Sequence, residues 1–450
     1  MGLQKGAILI KRIFKIFLVA LGFHFIVSGL NYIYVNAEQP WYRIMWHHYY
    51  EDEGKIDCII LGSSHVYCDI NPTLLNNINK NYWFNLASPS QRLVDSYYLL
   101  KEADHGNELS HVYLELYYDC STKDNLKDNI DPIQDESICE RSWQNIDFMK
   151  DSLNKVQYML SIFRKENITE LLFPFCRYRT KLGDWNYIKQ TVEEKQKEDY
   201  QNYEYCYYFD NGNGHLEYRE QGYFYSTREF WGNLFEQSRI LEENPIGHIS
   251  EQYLRKIISY CQKRSIPITL FVSPMNDLQL VSTENYDNFI QEVSDIAKEY
   301  SIDFYDFNLV REGYLPIYEK EYFYDMGHLN SAGATLFTSF FNKVVTGSAA
   351  DNEKYFYSSY KEKMQETPAK IYGLYYKDTE VRTFHIASNR EEELEYKVVI
   401  TPANGEPYMI QDFSTNKVFS LPLDQHGVCA VSFREINERD GIIQICETVL

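Results

Sequence analysis

Positive charge is scarce in this chain, and its cysteines are never closely paired. Only 44 lysines and arginines stand against 65 acidic residues, for a formal net charge of −21. A protein that grips nucleic-acid phosphates needs a basic face, so a nucleic-acid partner is excluded. Taken over the whole chain, the same acidity is unsuited to holding anionic lipid headgroups. The nine cysteines, at 58, 68, 120, 139, 176, 206, 261, 429 and 446, show no Cys-x-x-Cys spacing, which argues against a zinc ribbon. An odd, scattered set is no disulfide framework either, so most are expected to be small buried apolar residues, Cys58 at the start of a strand among them. No metal and no cofactor is expected.

What is present suits a globular protein of more than one domain. Apolar residues make up 44% of 450, too long a chain for one ordinary core. The 40 tyrosines offer flat apolar faces with a polar tip, which fits sugar contacts; filling cores and edges of a β-rich protein accounts for them equally well.

Lys5, Lys11, Arg12 and Lys15 precede a mostly apolar run from Ile16 to Val35. Twenty such residues are enough for one helical crossing of about 30 Å, and basic residues on the amino side keep that end cytoplasmic. Residues 1–37 are therefore expected to be a retained membrane anchor, with the rest of the chain exported. A signal peptide cut near Val35-Asn36-Ala37 is the rival reading.

Residues 38–56 read as a juxtamembrane connector, whose adjacent His47 and His48 would point in different directions and form a solvated pair rather than a metal site. An α/β rhythm then spans 57–346. Strands are expected near 57–62, 82–87, 111–117, 267–272 and 303–307, and helices near 91–104, 248–264, 283–299 and 332–345. A long insertion interrupts this rhythm at about 120–245, with helical stretches near 143–166, and insertions of this kind commonly form a lid over the sheet edge. Within it, Arg177 and Arg179 lie among aromatics near Asp184-Trp185, a mixture suited to an acyl-sugar or phosphate-bearing polymer; surface arginines pairing with acidic neighbours are the plainer alternative. Asn276-Asp277 follows the fourth strand as a turn that can offer polar contacts to the same sheet edge. A polar linker at 347–354 leads to residues 355–450, where the period changes to alternation around an Asn404-Gly405 turn, the pattern of a small β-sandwich.

Two short motifs carry the chemistry. Cys58-Ile59-Ile60-Leu61 ends in Gly62-Ser63-Ser64, which is how a buried strand delivers a hydroxyl to the carboxyl edge of an open sheet. Far downstream stands Asp325-Met326-Gly327-His328, followed by Ser331, which is placed to cap the last helix. An acid three residues before a histidine can hold the imidazole Nδ1, leaving Nε2 to take a proton from a serine. Ser64, His328 and Asp325 are thus the candidate nucleophile, base and orienting acid.

This arrangement resembles the SGNH/GDSL family of esterases and acyltransferases, and within it the membrane-anchored branch of D-alanyl-transfer and alginate O-acetylation proteins. The likeness covers roughly residues 54–346 and rests on the two motifs plus Phe84-Asn85-Leu86-Ala87-Ser88. It implies an α/β, flavodoxin-like three-layer domain with a parallel five-stranded sheet, and an acyl-enzyme on Ser64. The implied substrates are acyl esters, acetyl above all, of a polysaccharide or teichoic-acid-like acceptor, and the implied partner is a multispanning membrane acyltransferase. One block departs from the pattern: where the family has Gly-x-Asn-Asp after the third strand, this chain runs Leu114-Glu115-Leu116-Tyr117-Tyr118-Asp119. Donors for an oxyanion are then expected from the Ser64 backbone N–H and from the loop after Asn85, with Ser88 in it. Hydrolysis to water, and a noncatalytic polysaccharide-binding or assembly role, are the alternatives.

Overall fold

The computed structural model describes residues 2–35, 40–122, 136–163, 168–209, 212–230, 235–317, 320–376, 383–390, 393–421, 426–437 and 444–449. Asn36 and Ala37, at the candidate cleavage position, lie outside the described residues. The chain divides into two compact units, one of residues 1–51 with 125–205 and the other of 52–124 with 206–450.

The first unit is built on α1 (Gly2–Tyr34), whose stretch Ile10–Tyr34 has mean hydropathy 2.1 and is long and apolar enough to cross a membrane. Its last carbonyls have no intrahelical N–H to accept. Lys195 supplies them, its Nζ donating to Tyr32 O at 2.7 Å and Val35 O at 2.6 Å. The connector is itself helical, Pro40–Glu51, and its Trp46 Nε1 donates to Asn145 Oδ1 at 3.1 Å in the helix Glu136–Phe148. The helical stretch expected near 143–166 is therefore two helices. Ser152 starts the second, Leu153–Ile162, by accepting the Lys155 N–H.

The second unit holds a five-stranded parallel sheet: β1 (Cys58–Leu61), β2 (Trp83–Asn85), β3 (His111–Glu115), β4 (Ile268–Val272) and β5 (Asp303–Asp306). The order across it is β5-β4-β3-β1-β2, with every neighbouring pair parallel. Strands β1 and β4 are buried throughout, as continuous apolar runs in a covered parallel sheet should be. Chain order reverses direction between β1 and β3, and a crevice opens at the carboxyl ends of strands at such a point. Leu61 pairs with Leu114, so Gly62 and Glu115 leave the sheet side by side.

Helices cover the strands. α2 (Ser64–Asp69) follows β1, α3 (Leu93–Gly106) packs on α4 (His248–Arg264), α5 (Tyr286–Tyr300) joins β4 to β5, and α6 (Ser331–Val345) packs on α2. Phe341 of α6 lies edge-on to Tyr113 of β3 and Phe271 of β4, binding that helix to the middle of the sheet. The cap of α6 is Asn330 rather than Ser331: its Oδ1 accepts the Ala332 and Gly333 N–H groups at 3.1 Å each, and Ser331 becomes the first helical residue.

The carboxyl-terminal part starts differently from expectation. The polar linker contains a short helix, Ala349–Asn352, and Tyr360–Glu366 is helical too. Lys363 of the latter is buried against Asp277, with Nζ to Oδ1 at 2.9 Å, which ties this segment to the end of β4. Asp277 thus forms a structural ion pair, and removing the lysine would strand a buried carboxylate at a cost of about 3–5 kcal/mol. The strands begin at Ile371 and form two four-stranded sheets, one of them antiparallel throughout. Leu374 and Ile386 of one sheet share a cluster with Val398, Ile400 and Val431 of the other. One strand of the first sheet, Phe235–Gln237, comes from the insertion and pairs parallel with Ile371–Tyr376.

Candidate active site

Ser64 and His328, 264 positions apart, meet at the carboxyl edge of the sheet: His328 Nε2 lies 2.7 Å from Ser64 Oγ. The other ring nitrogen, Nδ1, lies 2.9 Å from each carboxylate oxygen of Asp325. Asp325 is held in turn by backbone donors, its Oδ1 accepting from Gly327 N at 2.9 Å and His328 N at 2.8 Å. Burial opposes ionisation of this carboxyl, but His328 and the two N–H donors outweigh it and bring the pKa down to about 2. Asp325 is therefore anionic at neutral pH and fixes the proton of His328 on Nδ1, which leaves Nε2 as an acceptor for the serine proton.

The surroundings hold these three in place. Tyr324 stacks on the His328 ring at 5.3 Å and 8°. Asp69, on the helix that carries Ser64, accepts the Leu329 N–H at 2.9 Å and so joins the serine helix to the histidine loop. Ser64 and His328 are partly exposed, while Ser63, His65, Gly327 and Leu329 around them are buried. A reagent can reach the hydroxyl without the neighbouring turn having to open.

A second acid and histidine lie directly beneath. Glu115, at the end of β3, accepts the Ser63 N–H on Oε2 at 2.9 Å, and its Oε1 is 3.5 Å from His65 Nδ1. The His65 ring centre is 5.0 Å from that of His328. Burial lowers the His65 pKa below that of free imidazole, against the pull of Glu115, so the ring is neutral at pH 7. Gly62 is required here for space: a Cβ on it would sit 2.6 Å from Glu115 Cβ. The turn expected at Asn276-Asp277 is the start of a short helix, Asp277–Val281, capped by Asn276, and Gln279 within it donates Nε2 to the hydroxyls of Tyr117 at 3.0 Å and Tyr118 at 3.2 Å. Sequence reasoning missed Glu115, Asp69 and Gln279. The signal for the first was a carboxylate ending an apolar strand.

The remaining candidate residues have other partners. Asn85 is buried and spends Nδ2 on Ile70 O at 2.8 Å and Val66 O at 3.3 Å, so its amide fastens the serine helix rather than facing a substrate. The Ser88 N–H donates to Gly62 O at 3.3 Å and its Oγ to Gln91 Oε1 at 2.8 Å, which removes both as oxyanion donors. Arg177 and Arg179 belong to the first unit and are paired there, with Asp147 at 2.6 Å and Glu170 at 3.0 Å. The plainer expectation, arginines answering acidic neighbours, describes them. The Ser64 N–H, at the first position of its helix, has no hydrogen-bond partner among the described residues, as the geometry of a helix start dictates.

Comparison with known proteins adds little. One family model, whose description names no activity, matches residues 175–349, which include Asp325 and His328 but not Ser64. No curated protein matches the chain.

Proposed function

We propose that this is a membrane-anchored serine esterase or O-acyltransferase of the SGNH/GDSL type, acting outside the cytoplasm on acyl, chiefly acetyl, esters of a cell-envelope or secreted polysaccharide. The observation that carries the reading is the unbroken chain Asp325–His328–Ser64, at 2.9 and 2.7 Å. Ser64 Oγ attacks the ester carbonyl as its proton passes to His328 Nε2, and Asp325 stabilises the imidazolium that forms. The Ser64 backbone N–H faces the developing oxyanion. The imidazolium then protonates the departing alcohol, leaving an ester on Ser64. In the second half, His328 deprotonates an acceptor hydroxyl, or water, which attacks that ester and frees the serine. The apolar helix with basic residues on its amino side supports an anchor whose following domains face outward. A polysaccharide or teichoic-acid-like acceptor and a multispanning acyltransferase partner follow from the family likeness.

The test is turnover of a small acetyl ester by the purified full-length chain. Wild type should hydrolyse it, and Ser64→Ala and His328→Ala should each lower kcat by at least about 10³-fold while remaining folded. Equal background rates in all three would refute the reading.

One feature favours a second reading. With no asparagine in Leu116-Tyr117-Tyr118-Asp119, which follows the third strand where the family has Gly-x-Asn-Asp, a polysaccharide-binding or assembly protein that keeps the fold without turnover is the alternative.

A further inference from the structure

The insertion segment 168–190 lies against the membrane helix, within the first unit. Phe173 packs edge-on against Phe23 of α1 with ring centres 5.8 Å apart, and the 3-10 helix Pro174–Lys181 contacts the same helix. Asn31, the polar residue near the end of the apolar run, is answered by this segment: its Oδ1 accepts the Phe175 N–H at 3.0 Å. Tyr187 OH donates to Tyr34 O at 2.8 Å. Phe23 is eleven residues before Tyr34, a drop of about 17 Å at 1.5 Å per residue, so Phe173 stands beside the span itself and not beyond its outer end.

The residues around these contacts expose apolar surface that α1 leaves uncovered. Leu172 and Leu182 are each 58% exposed, Ile168 47% and Trp185 78%. Scattered exposed leucines need no explanation, but four large apolar side chains on one short segment touching a membrane-spanning helix do. Charge adds little, because Arg177 answers Asp147 at 2.6 Å, Arg179 answers Glu170 at 3.0 Å and Lys189 lies 3.7 Å from Glu193. Apolar anchors and an interfacial tryptophan are what a segment lying in a bilayer surface uses.

We propose that segment 168–190 is a membrane-inserted pad which seats Ile168, Leu172, Leu182 and Trp185 in the outer leaflet beside α1. The proposal rests on reading α1 as a membrane span. It gives the chain a second attachment, so that the unit is held against the bilayer and does not swing on a single helix.

The experiment uses the full-length chain in nanodiscs whose lipids are brominated in the acyl chains, which quench only tryptophan in contact with them. Wild type should lose a fraction of its emission that Trp185→Phe no longer loses. At 78% exposure this substitution should leave packing intact, with circular dichroism of both proteins as the control. Leu172→Glu combined with Leu182→Glu should also reduce the quenching and make Trp185 several-fold more accessible to aqueous iodide. Identical quenching in wild type and Trp185→Phe, or no effect of the glutamates, overturns the pad while leaving the anchor reading standing. A chain that fails to enter the nanodiscs at all overturns both.

Discussion

Glu115 Oε2 accepts the Ser63 N–H at 2.9 Å, so the last residue of β3 fixes the turn that presents Ser64. This contact depends on Gly62, because any side chain there would occupy the space the carboxylate fills. Strand register sets it up by pairing Leu61 with Leu114.

Removing Glu115 should damage both stability and reactivity. Glu115→Ala leaves the Ser63 N–H unanswered and opens a buried hole, a loss of about 2–4 kcal/mol measurable by chemical denaturation. Glu115→Gln keeps the shape and one acceptor oxygen and should cost less than half as much. Gly62→Ala should be harmful by overpacking, about 1–3 kcal/mol, and should slow acetyl-ester turnover.

Asp325→Asn tests the orienting role. The amide cannot stabilise an imidazolium or hold the required tautomer, so kcat should fall by roughly 10²–10⁴-fold with little change in KM. The wild-type carboxyl, held at about 2, is depressed in the fold. A depressed acid stabilises the fold above its ordinary value of 3.8, and that contribution disappears as pH falls towards about 2. The asparagine variant should lack this acid-side decline when unfolding is followed from pH 5 downwards.

Asp69 should behave in the opposite sense. It is fully buried, and burial first, with Glu115 and Asp325 adding to it against the Leu329 N–H, raises its pKa well above 3.8. A raised acid favours the fold only while protonated, so wild-type stability contributed here is complete below pH 3.8 and is lost as pH rises. Asp69→Asn keeps an acceptor for Leu329 N and cannot ionise. It should match wild type in melting temperature at pH 3.5 and exceed it at pH 7; a variant less stable at pH 7 would show that the carboxylate is favourable there.

The proposed orientation, with the domains after the apolar run outside the cytoplasm, rests on Lys5, Lys11, Arg12 and Lys15 on its amino side. External protease added to intact cells should digest the carboxyl-terminal domain. Digestion only after lysis would reverse the assignment.

The parts of this molecule written in local pattern were legible. The runs Cys58–Leu61 and Ile268–Val272 announce buried parallel strands, and the alternation at Leu394–Pro402 and Gly427–Glu435 announces the antiparallel ones. Ser64, Asp325 and His328 could be chosen because their motifs fall at the end of the first strand and ahead of the last helix. What depended on distant partners was hidden. Nothing adjacent in sequence says that Glu115 will meet Ser63, that Asn85 will turn inward to the helix carbonyls, or that Phe235–Gln237 will join a strand 136 positions later. Asn330 and Ser331 both suit a helix cap, and only the backbone turn chooses between them.

The most direct test of the account is covalent. A fluorophosphonate reacts with a serine hydroxyl only where a base activates it and the pocket stabilises the resulting charge. Full-length wild type should take up one probe, mapped by mass spectrometry to the peptide carrying Ser64, and Ser64→Ala and His328→Ala should take up none. Unlabelled wild type, or labelling that persists in Ser64→Ala, would contradict a catalytic Ser64.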